Sequence, residues 1–412
     1  MKYILIIGDG MADDPVPALE GKTPLECAKK PVIDSLARSG VLGSVQNVPE
    51  GFPPGSDTAI LSIFGCSPRT CYTGRAPLEA AAQGVMLNPG DAAFRCNNVA
   101  VTDGVPFAEA KVLSHSAGGL EPGEGAQLVQ WLFEQPEFKA MADELGMVVH
   151  PTDSYRHIIV WQQAPSIAGI SLKPPHDNLG AVVADVLPSG CPAAQQIRDL
   201  MELAHRLLSA SPFNEARRAA GKLPANAIWF WAEGSAAALP KFTEQYGKTG
   251  TVISAVPLCH GIAALTGLDV IHVPGATGEL DTNLEGKVEA ALRAVEAYDF
   301  VAVHVEAPDE CTHNGDLPGK IQSIEWLDSR VTAPLLEGLR ARGEDFRVLI
   351  LSDHKTLMTS GAHGGDPVPF IIYDSRTEAG SGLAYTEANG LLGPMVDEGI
   401  DLMPLLFEQK TL

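Results

Sequence analysis

Arg347-Val348-Leu349-Ile350-Leu351-Ser352-Asp353-His354 is the stretch that decides how the chain is read, and His363 follows it in Ala362-His363-Gly364-Gly365-Asp366. The run Val348 to Leu351 has the length and apolar content of a buried strand, and a carboxylate beside an imidazole comes directly after it. In parallel α/β sheets ligands gather beyond the carboxyl ends of the strands, so Asp353 and His354 raise a metal site as the first possibility. A lone Asp-His pair after a strand is more often a helix cap with a surface histidine. The metal reading therefore needs further strands that deliver matching groups.

Working outward, three other segments do so. Tyr3 to Ile7 reads as a buried strand that ends at Gly8-Asp9-Gly10-Met11, although Asp9 alone would serve as a turn aspartate. Phe300 to Val305 reads as another, followed by Asp309 and His313, whose spacing of four puts both on one face of a helical turn. The third segment is Gly51-Phe52-Pro53-Pro54-Gly55-Ser56-Asp57-Thr58-Ala59-Ile60-Leu61-Ser62-Ile63. Ile60, Leu61 and Ile63 fit a helix starting near Asp57, which puts the Ser56 hydroxyl at a helix N-terminus. There it is either a simple N-cap or a group facing a bound anion. Together these segments supply Asp9, Ser56, Asp309, His313, Asp353, His354 and His363. That set suits two divalent ions with mixed oxygen and nitrogen ligands, and makes Ser56 a nucleophile of the metal-activated kind.

Between these segments the texture changes. Helices are expected at Pro31 to Ser39 and Asn283 to Ala297, and over Ile324 to Leu339, with further strands at Val41 to Val48, Thr251 to Val256, Ile271 to Val273 and Pro369 to Tyr373. From about residue 75 to 240 the strands are shorter (Val99 to Val101, Met147 to Val149, His157 to Trp161, Ala225 to Trp231), broken by glycine and proline, with one long helix near Ala193 to Ser209. The expectation is an α/β protein with a mostly parallel, helix-flanked sheet in a discontinuous domain, 1–74 and 241–412. A smaller α/β domain, 75–240, is inserted in it.

The bulk numbers agree with two domains: the chain has 412 residues. A net charge of −22, from 29 basic and 51 acidic residues, disfavours nucleic acid and anionic membrane surfaces as partners. Seven scattered cysteines, with no C-x-x-C, fit reduced thiols and a cytoplasmic location. No apolar run approaches a membrane span, and the N-terminal apolar segment is too short for a signal sequence. Oligomeric state is left open.

In Gly8-Asp9-Gly10-Met11-Ala12-Asp13, Pro54-Gly55-Ser56-Asp57-Thr58-Ala59, Tyr72-Thr73-Gly74-Arg75, Asp309-x-x-x-His313-x-Gly315-Asp316, Asp353-His354 and Gly365-Asp366-Pro367-Val368-Pro369, the chain resembles the archaeal-type cofactor-independent phosphoglycerate mutases of the alkaline phosphatase superfamily, along essentially its whole length. The resemblance implies a glycolytic isomerase that interconverts 3-phosphoglycerate and 2-phosphoglycerate through a phosphoserine at Ser56. It implies one metal held by Asp9, Ser56, Asp353 and His354 and another by Asp309, His313 and His363. The ions would be manganese, with zinc or magnesium as alternatives, and no 2,3-bisphosphoglycerate would be needed. It also implies a substrate-orienting insertion, for which Arg75, Asp153 and Arg156, together with His260 outside it, are the candidate substrate-binding residues.

Some text departs from that pattern. Glu306-Ala307-Pro308-Asp309-Glu310, Asn226 to Trp231 and Gly275 to Gly278 are similar to a bacterial branch proposed to act as a homoserine kinase, and His260 stands where relatives tend to carry a lysine. A homoserine kinase-like phosphotransferase is thus one alternative and a metal-dependent phosphomonoesterase another, although no G-x-x-x-x-G-K-[ST] nucleotide loop occurs.

Overall fold

The computed structural model describes residues 1–377 and 380–411. Two compact units divide the chain, Met1–Tyr72 with Ala238–Leu412, and Thr73–Ala237.

The first unit is built on an eight-stranded sheet in the order Met395–Val396, Val41–Val45, Val368–Asp374, Phe346–Leu351, Lys2–Gly8, Phe300–Val305, Gly250–Ile253, Asp269–Ile271. Only Val368–Asp374 runs against its neighbours, so the sheet is mostly parallel. The three central strands are apolar on both faces because helices cover both sides: Ile4, Leu5, Ile6, Val301, Ala302, Val303, Val348, Leu349, Ile350 and Leu351 have no exposed surface. Their register decides where the chemistry goes. Ile7 lies beside Leu351 on one side and His304 on the other, so these strands end level and the residues that follow emerge at one edge.

Helices fall close to expectation at Pro31–Ser39 and Leu284–Ala294. The helix expected over 324–339 is longer and interrupted. It runs Leu317–Trp326, then a π-helical turn Leu327–Thr332, then Ala333–Arg342. Pro334 has no N–H for the regular ladder, and the widened turn absorbs that loss.

In the second unit the strands pair antiparallel throughout the described ladders, unlike those of the first. Ala92–Val101 is central, flanked by Arg156–Trp161 and Ala227–Ser235, with Met147–His150 and Val112–Ser114 outside. Helix Ala193–Ser209 lays Ile197, Leu200, Met201, Ala204 and Leu208 onto a core with Phe94, Trp161, Trp229 and Phe230. The central strand is longer than expected because its polar residues, Arg95, Asn97 and Asn98, are buried in pairs rather than exposed.

Candidate metal and phosphoryl-transfer site

Level strand ends bring Asp9 and Asp353 side by side, and short local structures complete the cluster. After Phe300–Val305, helix Ala307–His313 begins with Pro308 in its first turn and carries Asp309 and His313 on one face. After Asp353, the pair Lys355–Thr356 forms a two-residue ladder with His363–Gly364, which folds His363 back over the site. Gly55, rather than Ser56, occupies the N-cap of helix Ser56–Ile63, so the Ser56 hydroxyl is not used as a cap. It lies 3.1 Å from His354 Nε2 and 3.4 Å from Asp9 Oδ2.

The hydrogen bonds assign the lone pairs. His354 Nδ1 faces the Lys355 carbonyl at 3.1 Å and His313 Nδ1 faces the Gly361 carbonyl at 2.9 Å, so each ring carries its proton outward and turns a bare Nε2 inward. His313 Nε2 meets Asp309 Oδ2 at 3.1 Å and His363 Nε2 at 3.0 Å, while His363 Nε2 is 3.4 Å from Asp309 Oδ1. Each of two buried carboxylates is half used. Asp353 Oδ1 accepts from the Gly10 and His354 N–H groups at 3.1 and 2.9 Å, and Asp9 Oδ2 faces His304 Nε2 at 2.9 Å. The remaining oxygens, Asp353 Oδ2 and Asp9 Oδ1, are buried without a hydrogen-bond partner among the described residues.

Orphaned carboxylate oxygens beside bare imidazole nitrogens are the donor set of a divalent cation. Two groupings have ligand atoms close enough to share an ion, Asp309 with His313 and His363, and Asp9 with Asp309 and His354. Charge crowding agrees. Burial, then the neighbouring Asp353 and Asp309 carboxylates, hold the Asp9 carboxyl well above the usual carboxylate range. For Asp309, burial pushes upward, but the hydrogen bonds that His313 and His363 give it in their doubly protonated forms outweigh it and hold this carboxyl below its ordinary value. Gly10 has φ +58, and a Cβ there would strike Thr356 Oγ1 and the Asp309 carboxylate, so only glycine lets the turn after Asp9 pass so close.

Three supporting features did not stand out in the sequence. His304 is 1% exposed beneath Asp9, and burial followed by the Lys287 ammonium pushes its pKa down to about 3. Thr356 donates to Asp309 Oδ1 at 2.6 Å. Lys320 and Asp13 form an ion pair of 2.8 Å with both side chains sealed from solvent, and Lys320 also donates 2.6 Å to the Thr356 carbonyl.

Of the candidate substrate-binding residues, His260 belongs to the first unit. It is buried on helix Pro257–Thr266, with Nε2 at 2.8 Å from the Ser254 carbonyl and its ring edge-on to His272. The other three belong to the second. Arg156 lies over the rings of Trp231 and Tyr155 at 5.3 and 5.7 Å, while Arg95 covers Trp231 at 4.6 Å. Arg75 is tied to Glu79 at 3.2 Å, a carboxylate that also takes Arg95, and Asp153 is exposed in the loop before Arg156. Arg95 and Trp231 were not singled out from sequence, because an arginine inside a strand gives no local sign of the aromatic ring it covers.

Comparison with known proteins bears on this geometry. A family model described as 2,3-bisphosphoglycerate-independent phosphoglycerate mutase matches residues 37–214. A Methanothrix thermoacetophila protein named 2,3-bisphosphoglycerate-independent phosphoglycerate mutase is 46% identical over 98% of this chain and 99% of its own. A Geobacter sulfurreducens protein named as a probable enzyme of that kind is 43% identical over 99% of this chain and all of its own. The chain belongs to the 2,3-bisphosphoglycerate-independent phosphoglycerate mutase family. Family membership and fold agree: the solved cofactor-independent phosphoglycerate mutase of Thermoplasma acidophilum superposes with a TM-score of 0.62 at 25% identity, covering 99% of both chains. A Pyrococcus horikoshii structure reaches 0.79 at 29% identity, over all of this chain and 98% of its own. No described helix is long and apolar enough to cross a membrane.

Proposed function

We propose that this protein interconverts 3-phosphoglycerate and 2-phosphoglycerate through a phosphoserine at Ser56, in a site that holds two divalent cations. The observation that carries the reading is the Ser56 hydroxyl set 3.1 and 3.4 Å from His354 and Asp9, beside two carboxylates that each leave one oxygen unpartnered.

Asp9, Asp353 and His354 with Ser56 are the residues that would hold one cation, and Asp309, His313 and His363 the other, with manganese the metal we favour and zinc or magnesium as alternatives. When bound, such cations lower the pKa of a coordinated hydroxyl and offset charge on a phosphoryl group in flight. Ser56 Oγ gives up its proton and forms the new bond to phosphorus as the bond from phosphorus to the 3-oxygen breaks, and that oxygen takes up a proton. After the glycerate reorients, its 2-hydroxyl oxygen loses its proton and attacks the phosphoserine, and the released Ser56 Oγ takes a proton back. Fixed donors and acceptors around Ser56 make this catalysis by positioning and charge stabilisation. In the insertion, the Arg156 guanidinium over aromatic rings is suited to gripping a carboxylate or phosphate. Arg75 and Asp153 are lesser candidates, since Arg75 is already paired and Asp153 repels anions. His260, engaged with the Ser254 carbonyl, is the least suited of the four to meet a substrate.

Phosphorus NMR of the purified protein with manganese tests this. Conversion of 3-phosphoglycerate to 2-phosphoglycerate, abolished by Ser56→Ala, is the expected outcome. Inorganic phosphate as the sole product would mean an esterase, and ADP formed from ATP only when homoserine is present would mean a kinase; either result overturns the mutase.

A further inference from the structure

We infer that His304 is a positioning residue: held by Ser254, it selects which oxygen of Asp9 is presented to the metal centre. The inference rests on the two-cation reading above and deepens it.

The argument follows one proton. Asp9 Oδ2, a carboxylate oxygen when a cation is bound, can only accept from His304 Nε2. Ser254 Oγ, which accepts from the Val256 N–H at 3.0 Å and has the Cys259 thiol as a further neighbour, turns its hydrogen to His304 Nδ1, 3.1 Å away. Nδ1 is then an acceptor and the ring proton sits on Nε2, which lies 2.9 Å from Asp9 Oδ2. This tautomer is the reverse of the one that backbone carbonyls impose on His313 and His354, whose bare Nε2 atoms face the cluster. His304 is therefore placed to donate to the Asp9 carboxylate.

With Oδ2 engaged, Asp9 turns Oδ1 toward the cluster, where it lies 3.6 Å from His354 Nε2 and has no hydrogen-bond partner among the described residues. The main chain of His304 is held as well, since its carbonyl accepts from Lys287 Nζ at 2.9 Å. His304, Asp9, Ser254 and Lys287 are each no more than 2% exposed, so water does not replace these bonds. Groups that orient a metal-binding carboxylate in this way typically change metal affinity by about 10- to 100-fold when removed.

Manganese binding to chelator-stripped, full-length protein, followed by calorimetric titration and by the melting-temperature rise on adding metal, tests the role without using activity. His304→Leu removes the donor and is expected to weaken manganese binding by about 10- to 100-fold. His304→Gln keeps an N–H near the Nε2 position and should stay within about threefold of the parent, a factor well below that range. Ser254→Ala frees the ring to take the other tautomer and should fall between them. Asp353→Asn, which removes an orphaned ligand oxygen, is the control for the metal centre itself. Parent-like binding by Asp353→Asn would sink the two-cation reading. Loss there combined with parent-like binding by His304→Leu would leave that reading standing and overturn the role of His304. A loss in His304→Gln as large as in His304→Leu would also overturn it. Should His304→Leu not fold, parent-like binding by Ser254→Ala overturns it instead.

Discussion

Replacing Lys320 by methionine removes one half of an ion pair that lies behind the candidate metal ligands, next to Thr356 and Asp309. Lys320 Nζ donates to Asp13 Oδ2 at 2.8 Å and to the Thr356 carbonyl at 2.6 Å, with the two side chains 0% and 1% exposed. Asp13 keeps its Met358 and Asp14 N–H donors in the variant, but its charge stays buried near Glu387 without a counter-ion. Breaking a buried pair from one side costs about 3–5 kcal/mol, because the stranded charge no longer has water or partner. For a unit of this size each kcal/mol lowers the melting temperature by about 2–4 °C, so a loss on the order of ten degrees is expected. The second replacement, Asp13→Asn, removes the stranded charge, and the double variant should recover a large part of the loss. Differential scanning calorimetry of the parent, both single variants and the double variant, all with chelator present, gives the coupling free of metal binding. A shift of less than about 2 °C for Lys320→Met, below the range just given, would refute the reasoning. A double variant as unstable as the single one would refute it too, since the cost would then come from lost packing rather than from an unpaired charge.

Gly10→Ala forces a Cβ into Thr356 and Asp309 from a backbone at φ +58, and titration should show manganese affinity falling by at least about tenfold. Unchanged affinity would mean that the loop after Asp9 yields freely. His157 gives a pH prediction in the insertion. Burial pushes its pKa down from 6.5 to about 4, and the Thr152 N–H donating to Nδ1 at 3.2 Å leaves that nitrogen no room for a second proton. The folded state therefore binds fewer protons than the unfolded chain between these values, and stability declines as pH falls from about 6.5 towards 4. The part due to His157 is about 2 kcal/mol between pH 7 and pH 5. His157→Asn, in which the amide oxygen can accept from Thr152, should remove that part of the slope in denaturant titrations at the two pH values; an unchanged slope would contradict it.

The convergence of the site's carboxylates was legible because it obeys a positional rule. Asp9, Asp309 and Asp353 each follow an apolar run, and in a parallel sheet such runs end at the same edge. For Ser56 the sequence left a cap and an anion-facing group both open, and the backbone decides only against the cap: Gly55 takes that position and the Ser56 hydroxyl turns to His354 and Asp9. His304 was hidden because its strand is buried on both faces, so no alternation marks one polar residue as turned toward a partner. The short ladder of His363–Gly364 with Lys355–Thr356 was hidden for a different reason: two residues carry no period. Ala92–Val101 was read too short because Arg95, Asn97 and Asn98 look like surface residues. Their partners, Glu79 and Trp231 for Arg95 and Asn97, and His157 for Asn98, are distant in sequence. The insertion's antiparallel pairing was likewise set by which strands meet, and its run of strands and helices did not distinguish it from a parallel unit.

The central claim is that Ser56 carries the phosphoryl group between the two hydroxyls of glycerate. Mass spectrometry of peptides from protein quenched within its first turnovers of 3-phosphoglycerate, with manganese present, addresses it most directly. Phosphate on the peptide containing Ser56, gained with substrate and absent without it, is the predicted result. Turnover to 2-phosphoglycerate with Ser56 unmodified at every quench time, or with the phosphate on another residue, would contradict the account.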